Sequence, residues 1–193
     1  MPSGGTHDRI TLYTLPVIAG VTLWQTRSSN LTLLVAGGFM FSGLMFGPDL
    51  DIYSRQFQRW GFLRCIWRPY QKKLRHRSVF SHGPIIGTII RVIYLGCFLA
   101  LVATVFLVIG EKLGILAVTW QDLSVALGRS LVVYTTEYLA LFLGLELGAM
   151  SHSLSDWGGS AYKRVQKQGV RSLFAGRKGR RKKGGVKRRG TLR

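Results

Sequence analysis

Residues 85–110 read IIGTIIRVIYLGCFLALVATVFLVIG, 26 consecutive positions in which Arg91 is the one charge. A stretch of about 20 apolar residues crosses the ~30 Å hydrocarbon layer of a bilayer, so this segment reads as a membrane helix. Leu131–Met150 reaches the same length, whereas Ile10–Thr26 and Leu31–Gly47, at 17 residues each, stand at its lower edge. The polar run Arg27-Ser28-Ser29-Asn30 joins the first two as an up-down hairpin. The chain is therefore expected to be all-α, an integral membrane bundle of about four hydrophobic helices.

The charges orient that bundle. The protein has 193 residues, 47% of them hydrophobic, with 27 Lys plus Arg against 8 Asp plus Glu and a net charge of +19. Residues 52–84 carry eight bases and no acid, interleaved with Tyr53, Phe57, Trp60, Phe62, Trp67, Tyr70 and Phe80, a mixture that favours a membrane interface. Residues 151–193 hold 14 more bases, and residues 111–130 only Lys112 and Arg129. The excess of Lys and Arg on one side marks the cytoplasmic face. Both termini and the long basic loop are thus expected on the cytoplasmic side of a multi-pass protein in a bacterial inner or thylakoid membrane.

Three parts follow: a helical membrane domain over 1–160, an interfacial amphipathic helix over 161–175, and a disordered polybasic tail over 176–193. The tail, GRKGRRKKGGVKRRGTLR, has no acid and almost no apolar residue, so it cannot bury a core. It suits anionic lipid headgroups, with nucleic acid as the alternative partner. Glycine is frequent, as at Gly37, Gly38, Gly43 and Gly47, and permits close helix contacts within one chain or between copies, which leaves the oligomeric state open.

Cys65 and Cys97 have no CxxC spacing, which excludes a thiolate metal site and a disulfide framework. The four histidines instead sit in polar motifs at helix ends, THD at 6–8, RHRSVFSHG at 75–83 and SHSLSD at 151–156, while the second helix runs out in GPDLD at 47–51. Each piece has a plain reading, as a helix cap, a Pro-directed turn or a polar helix end. Together they are harder to explain that way. An up-down bundle places the start of the first helix, the end of the second, the start of the third and the end of the fourth on one face. His7, Asp49, Asp51, His76, His82, His152 and Asp156 all fall there, and imidazole with carboxylate suits zinc, manganese or iron. Seven ligands could hold one or two ions.

The pieces HD, PDLD, HRSVFSHG and SHSLSD, in this order over residues 1–160, resemble bacterial membrane-bound metal-dependent hydrolases. They are more similar still to the cyanobacterial-type metal-binding proteins. The resemblance implies that these seven residues are ligands of a divalent metal, zinc first, and that the activity is hydrolysis. Arg75 and Arg77, flanking His76, would suit the oxygens of a phosphoester or lipid-like substrate, and Asp8 would support a ligand from outside the coordination shell. A non-catalytic metal-binding or scaffolding protein, and a membrane-tethered nucleic-acid binder acting through the tail, are the competing functions. One internal ion pair is also expected, Arg91 with Glu146, from their matching depths in the third and fourth helices.

Overall fold

The computed structural model of the chain describes residues 4–76, 78–115 and 118–169, and among these every regular element is helical. Arg77 and the tail expected over 176–193 lie outside the described residues. Helix α1 (Gly4–Thr26) and α2 (Ser29–Leu44) form the hairpin, with the Ser28 hydroxyl accepting from the Leu31 N–H as the cap of α2. The fourth expected helix is a longer α8 (Thr135–Gln168) that passes Met150 unbroken and takes in residues 161–168 of the expected interfacial segment. Its buried stripe explains the extension: Leu145, Ala149, His152 and Asp156 recur at helical spacing and are all buried, so the apolar seam of the helix continues into polar residues without changing face.

Helices α2 and α8 touch backbone to backbone. A Cβ on Gly144 would stand 2.3 Å from the Val35 carbonyl oxygen, and one on Gly148 2.5 Å from that of Phe39. Glycines four apart on one helix are what such an approach requires.

Residues 52–84, expected as a long interfacial loop, contain α3 (Arg55–Gln58), a 3-10 helix (Gly61–Trp67), α4 (Arg68–Lys73) and α5 (Val79–His82). Phe57, Ile66, Trp67 and Tyr70 are buried against Phe46, Leu50 and Leu145 and form the core; Tyr53, Phe62 and Phe80 stay exposed. Burial of each large apolar side chain is worth about 1.5–3 kcal/mol, enough for this segment to leave the surface. Hydrogen bonds fix where it docks. The last carbonyls of α2 lack helical partners, and Gln56 donates to Gly43, Arg59 to Leu44 and the Trp60 indole to Met45.

Helix α6 (Ile86–Lys112) begins at a strained turn. Ile85 has φ 63° and ψ −56°, and the Ile86 N–H reaches the Pro84 carbonyl at 2.6 Å, a γ-turn of the hand that a β-branched residue rarely adopts. The Glu146 carboxylate accepts from the Ile85 N–H at 3.0 Å, placing negative charge at the start of α6. This is why the expected Arg91–Glu146 ion pair does not form within 4.0 Å. Arg91, 1% exposed, reaches back along its helix and donates to the Ser81 carbonyl at 2.9 Å and the Thr88 hydroxyl at 2.8 Å.

The stretch 111–130, expected as a loop, contains α7 (Trp120–Val133), started by a reciprocal cap between Thr119 and Asp122. Among the described residues, two helical segments are long and apolar enough to cross a membrane, Ser29–Asp51 and Ile86–Lys112, and a third counts if α7 and α8, bent by 77°, form one span. The sequence gives four; α1, interrupted by Pro16 and rich in threonine, is not among them.

Asp8 binds Arg59 through both oxygens, at 2.9 and 2.6 Å, with Arg55 at 3.5 Å, so it ties α1 to α3 and its flank rather than supporting a ligand. The hydrogen bond from Arg59 holds its carboxyl below the ordinary value. A carboxylate depressed on folding stabilises fully above its unfolded value, about 3.9, and that contribution is lost as pH falls through the lower folded value. The difference in thermal midpoint between wild type and Asp8→Asn should be constant from pH 7 to about 4 and shrink below that. A difference that stays flat through pH 3 would remove the pair from the stability of the fold.

Candidate metal centre

The structure brings all seven expected residues to one place, where the start of α1, the turn after α2, the α4–α5 region and the middle of α8 meet. Their positioning begins at Pro48–Asp51, a 3-10 helix that follows α2. Gln71 clamps this turn by donating to the carbonyls of Leu50 and Ile52, and the Ser54 hydroxyl donates to that of Asp49. Two three-residue sets result, His7 with His152 and Asp156, and Asp49 with His76 and His82, in each of which the donor atoms lie within 4.8 Å of one another.

The distances favour coordination over direct hydrogen bonding. His7 Nε2 is 3.3 Å from Asp156 Oδ1, His152 Nε2 3.2 Å from Asp49 Oδ2, and His82 Nε2 3.6 Å from Asp49 Oδ1. Two ligand atoms on one tetrahedral ion at about 2.0–2.2 Å stand roughly 3.3–3.6 Å apart. Asp49 Oδ1, His82 Nε2, His152 Nε2 and Asp156 Oδ1 are buried without a hydrogen-bond partner. Buried polar atoms are normally paired, so donors this close and still unpaired fit a shared cation.

The second ring nitrogens of His7, His76 and His82 are held by neighbours, whereas His152 Nδ1 is buried without a hydrogen-bond partner. The Ser155 hydroxyl donates to the His152 carbonyl at 2.8 Å, so at 2.7 Å it accepts from His7 Nδ1 and leaves Nε2 as the lone-pair atom. Asp51 Oδ1 lies 2.8 Å from His76 Nδ1, which turns His76 Nε2 outward in the same way. His82 Nδ1 is 2.9 Å from the Ser81 hydroxyl, which lies 3.3 Å from the Arg75 carbonyl. A carboxylate or hydroxyl behind the imidazole is the usual partner of a metal-bound histidine. Asp51, expected as a ligand, thus takes the orienting position: its side chain is fully buried, and it stands outside both three-residue sets.

Burial, followed by the neighbouring His152 ring stacked at 4.0 Å, holds the His7 imidazole below its ordinary value, so at neutral pH it is uncharged and able to ligate. Arg75 is exposed, and its described contacts are made by its carbonyl.

Sequence reasoning missed Ser81 and Ser155. Ser155 stands three residues after His152 in SHSLSD, a spacing that puts it on the same helix face, so the signal was present.

A cleft of about 250 Å³ lined by His82, Ser153, Asp156, Trp157 and Ser160 opens beside both sets. A larger one of about 630 Å³ lies at the α7–α8 bend, among Gln121, Arg129 and Tyr134, and contains none of the seven residues. The smaller cleft matters for chemistry because a residue of each set lines it.

A protein of Aquifex aeolicus (strain VF5), named only as an uncharacterized protein, is 37% identical over 59 residues, which cover 30% of this chain and 41% of that protein's length. No solved structure matches the chain. Residues 2–166, which include all seven candidate ligands, match one family throughout, and the chain belongs to that family, described as Uncharacterized metal-binding protein (DUF2227).

Proposed function

We propose that the protein is a membrane-embedded metal-dependent hydrolase that acts on a phosphoester or lipid-like substrate at the cytoplasmic face. The observation that carries the reading is the cleft bordered by His82 and Asp156, because it places open space beside one residue of each set. A divalent ion bound there would lower the pKa of a water and polarise a phosphoryl oxygen. The side chains do the rest: His76 and His82 present Nε2, Asp51 and Ser81 fix their rings, and Trp157 walls the cleft. Zinc is favoured by the mixed imidazole and carboxylate donors, with manganese and iron as alternatives.

Membrane embedding is supported by α6, whose apolar window has no buried residue; Leu99, Leu101 and Phe106 are all more than half exposed. An apolar surface of that extent needs lipid or protein cover. At about 1.5 Å per residue, its 27 residues reach ~40 Å, more than a bilayer's apolar thickness. The eight bases of residues 52–84 directly precede α6 in the chain and support a cytoplasmic orientation of its first end. By the same charge argument, residues 176–193 would hold anionic headgroups.

A non-catalytic metal-binding role is favoured by one observation. The cavity touching His7, Asp49 and His152 measures only about 20 Å³, too small for a substrate. Purified full-length protein in detergent, assayed with zinc or manganese against phosphodiesters and phospholipids, separates the two. The hydrolase reading expects turnover that vanishes in chelator and falls at least about 100-fold in His82→Ala, beyond the scale on which outer partners of a metal site act. Bound metal with no turnover on any of these substrates establishes the non-catalytic role.

A further inference from the structure

Asp49, a member of the second donor set, also faces the first. Its Oδ2 lies 3.2 Å from His152 of the first set, and its Oδ1 3.6 Å from His82 of its own. Each set contributes donors to the buried atoms that lack a hydrogen-bond partner: His152 and Asp156 in one, His82 and Asp49 in the other. A single ion in either set would leave the unpaired atoms of the other unmet, and such atoms cost about 1–3 kcal/mol each. From this division we infer that the protein holds a pair of divalent ions bridged by the Asp49 carboxylate, one beside His7, His152 and Asp156, the other beside His76 and His82. The inference rests on the metal-binding part of the proposed function.

The donor counts give the two positions different roles. With one Asp49 oxygen added, the first position has four protein donors, the number that closes a tetrahedral site. The second has three, His76, His82 and the other Asp49 oxygen, which is the number that leaves a coordination place for water or substrate. His82 of this position lines the 250 Å³ cleft, as Asp156 of the first position does, so the incomplete position borders space for a substrate. Two ions joined in this way clamp the attacking and leaving oxygens of a phosphoester, which specifies the substrate class for this centre.

Neighbouring side chains orient three of the imidazoles in advance, Ser155 that of His7 and Asp51 and Ser81 those of His76 and His82, so each position has a preset ligand. Asp49 is the one donor that faces both, and its loss removes the link while leaving the preset histidines.

Manganese titration of the full chain in detergent, read by elemental analysis and electron paramagnetic resonance, tests the pair without relying on activity. Wild type is expected to bind two ions per chain and show the signal of an exchange-coupled pair. Asp49→Asn, close in shape and so retaining the Pro48–Asp51 turn, is expected to lose the coupled signal. His7→Ala and His76→Ala should each keep one ion with an isolated-ion spectrum. One ion per chain in wild type, or two that show no coupling, overturns the bridged pair and leaves metal binding in place. No bound metal in folded wild type, with folding checked by circular dichroism, overturns both.

Discussion

Gly144→Ala is expected to destabilise the protein by about 1–3 kcal/mol, the range for forcing extra volume into a packed interior. The added methyl would meet the Val35 carbonyl oxygen at 2.3 Å and the Phe39 nitrogen at 3.0 Å, both backbone atoms that cannot rotate away. The whole α2–α8 contact would have to open. Since α2 leads into Asp49 and α8 carries His152 and Asp156, metal retention should fall with stability. Gly37→Ala is the control, because a Cβ there has nothing within 4 Å. It should be neutral or stabilising by about 0.5–1 kcal/mol, since alanine is the better helix former. Unfolding in detergent, followed with bound-metal content, reads both variants. Equal behaviour of the two would remove close backbone packing as the basis of the α2–α8 contact.

Arg91→Met should weaken metal binding by about 10–100-fold, the effect typical of losing a partner behind the ligands. The guanidinium joins α6 to the segment that holds two histidines: it grips the Ser81 carbonyl, and the Ser81 hydroxyl in turn lies 2.9 Å from His82 Nδ1. Its central carbon is 5.9 Å from the Phe46 ring, so methionine keeps the apolar contact and removes the hydrogen bonds. Thr88→Val removes only one of the two hydrogen-bond partners and should have the smaller effect. Isothermal titration with zinc compares the three proteins. Unchanged affinity in Arg91→Met, with only lowered stability, would confine Arg91 to packing.

Much of the site could be read before the structure because its residue types were scarce and its topology simple. Four histidines, all at polar breaks in apolar helices, leave few ways to arrange an up-down bundle, and each way gathers them with Asp49, Asp51 and Asp156. The roles within the cluster were less legible. The spacing of Asp49 and Asp51 states that two carboxylates are near; only the 3-10 turn, clamped by Gln71, turns one oxygen set toward His82 and His152 and the other toward His76 Nδ1. The core role of residues 52–84 was not legible because aromatic and basic side chains suit both a membrane surface and a core with a charged rim. What decides for the core is long-range: the unpaired carbonyls at the end of α2 and the apolar recess around Phe46. The Arg91–Glu146 pairing failed for a related reason. Depth along two helices places residues at one level, but backbone groups at the Ile85 turn compete for the same side chains, and Glu146 goes to an N–H there.

The four segments that build the centre are far apart in the chain, with Ser155 and His7 separated by 148 positions. Contacts of such separation form late, after the entropy of closing the intervening chain has been met. During synthesis, then, His7 is made well before the α8 segment that carries His152 and Asp156, so its set can close only once α8 is present. The set of Asp49, His76 and His82 has no such wait, because its members all precede α8 in the chain.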